Sequence, residues 1–346
     1  MHEKHPDPET QYRPHRLLRD GNLQTILGRH IPREAALVNE DEQRILFDAG
    51  PDRTDLDPGQ AVKLLGFYTP HRNAANPQTN PKGLAMLVHG WEGDSHSAYN
   101  LILGSSLIRA GYDVVRMNMR DHGPTHHLNK GIFFATLIEE FHAATQQAGL
   151  LAAGRPFFII GASLGGNFVV RMALRHAHSP IPNLRRAIAV NPVLNPRLTC
   201  ILLDNHRLLR RYFRRRWLDS LLKKQELFPE LYDFTPLASV PTIWEMSDWV
   251  TRSMSHYSGV EEYLDAYAVQ PSEFHGLAAP LTILTAANDP LIPSNDFTAL
   301  PPHPQLRVHV LPYGGHVGYN DLFPLRNCLP DLIRALLAQD LSKLRT

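Results

Sequence analysis

Three side chains spread along this chain are of the types that nucleophilic catalysis requires: Ser163, Asp289 and His316. A serine hydroxyl is a weak nucleophile until a base takes its proton, and that base needs an acid to orient and stabilise it. Ser163 stands in Gly161-Ala162-Ser163-Leu164-Gly165, a GxSxG pattern that follows the apolar run Phe157 to Ile160 and precedes a second apolar stretch. That grammar predicts a strand, a sharp turn with Ser163 at its tip, and a helix whose amide dipoles face the reacting carbonyl. A residue at such a tip takes a backbone conformation costing about 1 to 3 kcal/mol, and small neighbours let strand and helix approach. The bland alternative is a glycine-rich turn with a solvated serine.

The partners decide between the two readings. Asp289 lies in Thr285-Ala286-Ala287-Asn288-Asp289-Pro290, directly after the strand-like run Leu281 to Thr285. His316 lies in Gly314-Gly315-His316-Val317-Gly318, after the run Leu306 to Leu311. An aspartate before proline is common in turns, and one histidine among 19 is unremarkable alone. Together the three residues occur in the order Ser, Asp, His, each at the C-terminal end of its own predicted strand, which is the arrangement of the α/β-hydrolase fold. For an oxyanion hole, Leu84 to Val88 leads into His89-Gly90-Trp91-Glu92-Gly93, and the backbone amides of Trp91 and Leu164 are the expected donors. His89 and Gly90, with Asp121 and His122 from the loop after the next strand, are the candidates for contacting substrate. His89 is read as bracing its loop and not as moving protons.

The elements that must hold these groups follow from the hydrophobic pattern. Glu42 to Phe47 and Val62 to Tyr68 read as two early strands around the turn Gly50 to Gly59, and Asn73 to Lys82 as a polar loop. Then strands at 84–88, 112–119, 157–160, 187–190, 281–285 and 306–311 alternate with helical stretches at 99–110, 132–148, 168–174 and 330–341. Such alternation predicts a mostly parallel eight-stranded sheet flanked by helices. About 90 residues separate the sixth and seventh strands where a whole βαβ unit takes roughly 30, so close to 60 are inserted. The expected organisation is a tail at 1–13, a core at 14–194 and 273–346, and a helical cap at 195–272.

Composition narrows the class. The 346 residues are 43% hydrophobic, and 35 basic against 34 acidic groups leave a formal charge of +1, which argues against nucleic acid as a partner. Cys200 and Cys328 are isolated, so neither a disulfide framework nor a cysteine-rich zinc site is expected. Asp121, His122, His126 and His127 cluster, but Gly123 and Pro124 break the helix that would align two imidazoles, and a loop shaping the pocket is preferred to a metal site. No metal and no cofactor are expected. The early residues lack the apolar core of a signal peptide, and no run of 18 apolar residues occurs, so a soluble cytoplasmic protein is the default. Within the cap, residues 207–224 carry eight Arg and Lys among Leu, Tyr, Phe and Trp at helical spacing. A solvated cap helix is the plainer reading and peripheral contact with an anionic membrane the sharper one.

With GASLG, HGWEG, NDPLIP and GGHVG in hand, the chain resembles the YheT-like and ABHD-type α/β-hydrolases. Asn22-Leu23-Gln24-Thr25 is similar to that group's N-terminal LQT signature, and Tyr232-Asp233-Phe234 with Pro241-Thr242-Ile243 to its cap segment. The resemblance runs from about Pro14 to Leu337. It implies hydrolysis of acyl esters, with Ser163, Asp289 and His316 at the triad positions. Arg120-Asp121-His122-Gly123-Pro124-Thr125 stands where many relatives carry a glycine-rich loop and looks closer to a bacterial subgroup, and no membrane anchor like that of the animal proteins is read before the hydrolase region. The expected activity is therefore a Ser-His-Asp carboxylic ester hydrolase working through an acyl-enzyme on a small acyl ester or lipid. A membrane-surface lipase or acyltransferase, and a non-catalytic binding protein on the same fold, are the alternatives; oligomeric state is not specified.

Overall fold

Buried strands flanked by helices read as continuous apolar runs, and those runs form the centre of the sheet. A computed structural model of the chain describes residues 12–28, 42–54, 59–71 and 80–342. Most of the expected tail, the loop 73–82 as far as residue 79, and residues 55–58 of the first turn lie outside them. The strands are β1 (Gln43–Pro51), β2 (Ala61–Thr69), β3 (Leu84–Val88), β4 (Asp113–Met117), β5 (Phe157–Ala162), β6 (Leu184–Val190), β7 (Leu281–Ala286) and β8 (Leu306–Leu311). They make one sheet in the order β1-β2-β4-β3-β5-β6-β7-β8, parallel from β4 to β8 with β2 antiparallel to both its neighbours. Strands β3, β4, β5 and β7 are buried along their whole length.

The helices are α1 (Gly21–Leu27), α2 (Ala98–Arg109), α3 (Ile138–Leu150), α4 (Leu164–Arg175), α5 (Pro196–Asn205), α6 (Arg207–Leu227), α7 (Ile243–Met254), α8 (Val260–Ala266), α9 (Asn295–Thr298) and α10 (Leu329–Ser342). One face of the sheet packs on α3 and α4 and the other on α2 and α10, giving two cores. Helices α5 to α8 follow β6, and a short two-stranded ribbon, Asn320–Asp321 with Arg326–Asn327, precedes α10. The architecture is that of an α/β-hydrolase. Among the described residues no helix is long and apolar enough to cross a membrane.

Two expectations need correcting. The helix predicted over 132–148 begins only at Ile138, because the backbone before it is bound elsewhere. Phe133 N–H donates to Asp121 at 2.9 Å, Ala135 N–H to the Tyr263 hydroxyl at 3.0 Å, and the Ala135 carbonyl accepts from Arg171 at 2.7 Å. Tyr12, placed in the tail, is buried, its hydroxyl donating to the Asn320 carbonyl at 2.9 Å.

The segment between β6 and β7 has a small core of its own around Tyr232, Phe234, Leu237, Met246 and Val250, joined by Ile132 and Phe134 from the chain between β4 and α3. A buried charge also joins the two parts. Lys224 of α6, 1% exposed, donates to Asp121 at 2.8 Å and to the carbonyls of His126 and Asn129 at 3.1 and 2.5 Å. Burial pushes the Asp121 carboxyl up and the Lys224 ammonium down, against their mutual attraction. Removing one partner leaves the other buried and uncompensated. Lys224→Met is therefore expected to destabilise the protein by about 3 to 5 kcal/mol in urea unfolding, and Asp121→Leu with Lys224→Met to recover much of that loss.

Candidate active site

Ser163 sits between β5 and α4 with φ 56° and ψ −120°, a left-handed conformation that a non-glycine residue adopts only under constraint. The constraint is visible in the hydrogen bonds. Ser163 N–H donates to the Val190 carbonyl at 2.9 Å, and its own carbonyl accepts from Asn167 at 3.0 Å. The flanking glycines are needed for close approach: a Cβ on Gly161 would fall 2.3 Å from the Gly165 carbonyl oxygen, and one on Gly165 2.4 Å from that of His89.

The Ser163 hydroxyl lies 2.8 Å from His316 Nε2, and His316 Nδ1 lies 2.9 Å from Asp289 Oδ2. These distances assign the proton to Nδ1, leaving Nε2 as acceptor for the serine proton. The Asp289 side chain is fully buried and accepts four hydrogen bonds. The amides of Leu291 and Ile292 donate to Oδ1 at 2.8 and 3.0 Å, while Asn191 Nδ2 donates to Oδ2 at 2.7 Å alongside His316. Such a shell fixes the position of the carboxylate and saturates it with donors.

Two contributors went unread in the sequence. Asn191, just past β6 with φ 45°, has its amide oxygen held by the Tyr319 hydroxyl at 2.7 Å. Its signal was position: it too ends a strand on the active edge of the sheet. The second is Thr25 in the Asn22-Leu23-Gln24-Thr25 segment. Its Oγ1 accepts from the His316 amide at 2.8 Å and donates to the Gly21 carbonyl at 2.7 Å. Gln24 secures the same loop, accepting from Asn320 N–H at 2.7 Å and donating to the Asn320 carbonyl at 2.9 Å. Thr25→Val is expected to leave the His316 amide unpaired, at about 1 to 3 kcal/mol of stability, and to lower turnover, whereas Thr25→Ser retains both. Chemical denaturation beside steady-state kinetics reads the two effects.

The loop after β3 passes against the serine: a Cβ on Gly90 would lie 3.1 Å from that of Ser163. Gly90 N–H donates to the Tyr99 hydroxyl at 2.6 Å, and Gly93 N–H to the Gly90 carbonyl at 3.0 Å. Neither Trp91 N–H nor Leu164 N–H has an acceptor among the described residues. A cavity of about 500 Å³ opens here, lined by Gly90, Trp91, Ser163, Leu164 and His316 on the core side and by aromatic and aliphatic side chains of α5 to α8 on the other.

Of the four residues assigned to substrate contact, only Gly90 lines that cavity. The others are buried behind it. His89 donates from Nδ1 to the Gly90 carbonyl at 2.8 Å and accepts Met119 N–H on Nε2 at 3.0 Å, and burial pulls it down to about 4, so it stays neutral and braces the loop. The His122 ring lies tilted by 40° against it with centroids 4.9 Å apart, burial takes it down to about 3, and its Nδ1 donates to the Arg120 carbonyl at 2.7 Å. Asp121 is committed to Lys224 and Phe133. These polar groups found protein partners, which position in a loop cannot foretell.

Glu92 does line the cavity, with φ 55°. Burial lifts its carboxyl to about 8 despite the nearby Arg216. The folded chain thus keeps a proton that the unfolded chain releases near the ordinary value of 4.5, so stability is lost as pH rises from there toward about 8. Glu92→Gln is expected to melt above the wild type at about pH 9 and level with it at about pH 5, read by calorimetry.

Fold, edge loops and the serine turn define the class: an α/β-hydrolase. The chain belongs to the Hydrolase_4 family, described as serine aminopeptidase, S33, which matches residues 79–322. No curated protein matches the sequence. Among solved structures it is similar to the Pyrococcus furiosus esterase Pf2001, at 13% identity over 87% of this chain and 90% of that one with a TM-score of 0.52. It is also similar to Est1E from Butyrivibrio proteoclasticus with ferulic acid bound, at 16% identity over 81% and 96% with a TM-score of 0.52. A third is a 2,6-dihydroxy-pseudo-oxynicotine hydrolase, at 15% over 92% and 72% with a TM-score of 0.55. At these identities the likeness is one of fold.

Proposed function

We propose that this hydrolase cleaves carboxylic esters through Ser163, His316 and Asp289. The observation that carries the reading is the pair of hydrogen bonds, 2.8 and 2.9 Å, that links hydroxyl, imidazole and buried carboxylate at the mouth of an apolar cavity. His316 Nε2 takes the proton as Ser163 Oγ attacks the acyl carbon, and Asp289 stabilises the imidazolium without itself being protonated. The Trp91 and Leu164 amides hold the oxyanion. Collapse expels the alcohol, protonated by His316; water, deprotonated by the same nitrogen, then attacks the acyl-enzyme and releases the acid. An alcohol in place of that water would give acyl transfer.

The finer family reading, a YheT-like and ABHD-type hydrolase, is supported by Thr25 and Gln24 of the LQT-like segment holding the histidine loop, and by Phe234 of the cap segment, which is fully buried. The aromatic lining favours an acyl ester over a peptide amine as substrate. A fluorophosphonate probe is expected to label the wild type and not Ser163→Ala, and p-nitrophenyl esters of graded chain length to be cleaved faster than an aminoacyl p-nitroanilide. Absence of labelling would favour a binding protein on this fold.

One observation favours membrane contact as a second reading. The outward side of α6 exposes Leu208 at 63% together with Arg207, Arg211 and Arg215. At about 1 kcal/mol per basic residue near an anionic surface, binding would be weak and salt-sensitive. Sedimentation with phosphatidylserine vesicles at low and high salt tests it.

A further inference from the structure

Several basic residues of α6 bond back to the protein, although Arg207, Arg211, Arg215, Arg216 and Lys223 are exposed. Arg210 donates to the Asp204 carbonyl at 3.0 Å, Arg214 to the Val240 and Ala238 carbonyls at 2.5 and 2.6 Å, and Lys224 to Asp121. Arg216 reaches furthest toward the chemistry. Its Nη2 donates to the Glu92 carbonyl at 2.6 Å, from one side of the cavity to the other. The ring of Trp91, the adjacent residue, stacks on Phe213 with centroids 5.5 Å apart and planes 4° from parallel, and meets Trp217 edge-on at 5.3 Å. Three residues within little more than one turn of α6 thus contact two residues of the oxyanion loop.

That loop needs an outside restraint. Glu92 holds a left-handed φ of 55°, a conformation costing a non-glycine residue about 1 to 3 kcal/mol, inside a turn closed by Gly93 N–H on the Gly90 carbonyl. From below the loop is tied by Tyr99 and His89. From above, only α6 provides described hydrogen bonds to it. A charge-assisted bond to the Glu92 carbonyl opposes relaxation of that peptide, and the stacked indole fixes Trp91, whose amide is the expected oxyanion donor.

We infer that Arg216 is a positioning residue: with Phe213 and Trp217 it makes α6 part of the device that holds the Trp91 amide in register with Ser163. The inference rests on the serine-hydrolase reading above. Its consequence is that the cap sets turnover as well as substrate fit. A donor displaced by about 1 Å loses much of its effect on the transition state while the ground state binds nearly as before.

Hydrolysis of p-nitrophenyl acetate tests it, because an acetyl group is too small to need the cap as a pocket wall. Wild type against Ser163→Ala is read first; activity that survives in that variant overturns the hydrolase reading itself. Arg216→Ala is then expected to lower kcat by about 10- to 100-fold with KM within about twofold, and Arg216→Lys, which keeps a charged donor, to recover most of kcat. Phe213→Leu lowers kcat in the same direction with the guanidinium in place, and serves if Arg216→Ala fails to fold. An unchanged kcat, a rise in KM alone, or an Arg216→Lys variant as impaired as Arg216→Ala in a folded protein would overturn the inference.

Discussion

Ser163→Ala is expected to reduce kcat toward a p-nitrophenyl ester by about 10⁵- to 10⁶-fold, and His316→Ala by a comparable factor. The two should not add. Ser163 Oγ and His316 Nε2 are 2.8 Å apart and share one proton, so removing either removes the same step, and the double variant should retain the residual rate of the singles. That residue would come from the Trp91 and Leu164 amides and from binding. Both side chains sit on surfaces shaped by backbone, and Ser163 is held by main-chain bonds to Val190 and Asn167, so thermal melts should stay close to the wild type. Steady-state kinetics with active-site titration measures the loss; an alanine variant with undiminished turnover would remove Ser163 from the chemistry.

Asp289→Asn is expected to lower kcat by about 10³- to 10⁴-fold with little change in KM. Asp289 Oδ2 takes His316 Nδ1–H and Asn191 Nδ2, while Oδ1 takes two amides. All four partners are donors. An asparagine must turn its NH₂ toward two of them, either pushing His316 into the wrong tautomer or leaving the Leu291 and Ile292 amides facing a donor. Asn191→Ala should follow in the same direction and more weakly, since it frees one side of the carboxylate without changing its charge. A proton NMR signal from His316 Nδ1–H, present in the wild type and lost or shifted in Asp289→Asn, gives a readout apart from turnover.

Much of the architecture was readable because it is locally encoded. An apolar run of five or six residues followed by glycine or a short polar loop marks a buried parallel strand and its end, so β3 to β8 fell where the pattern put them. The start of α3 did not. Residues 132–137 have helical periodicity, but Phe133 and Ala135 bond to Asp121, Tyr263 and Arg171, and those distant partners outcompete the helix. Asp121 and His122 show the same limit at the site. Their types suited a pocket wall, yet Lys224, 103 residues from Asp121, and the ring of His89 drew them into the interior.

By itself the sequence determined which residues stand at the active edge of the sheet: Ser163, Asp289, His316 and the Gly90-Trp91 loop each follow a strand, and strand ends are set by local composition. Tertiary structure alone decided what holds them. Thr25 meets His316 across 291 residues, Asn191 meets Asp289 across 98, and Arg216 meets Glu92 across 124. Each of those bonds depends on how separate elements pack and on which polar groups burial leaves in need of a partner, and neither is written in the spacing of any one segment.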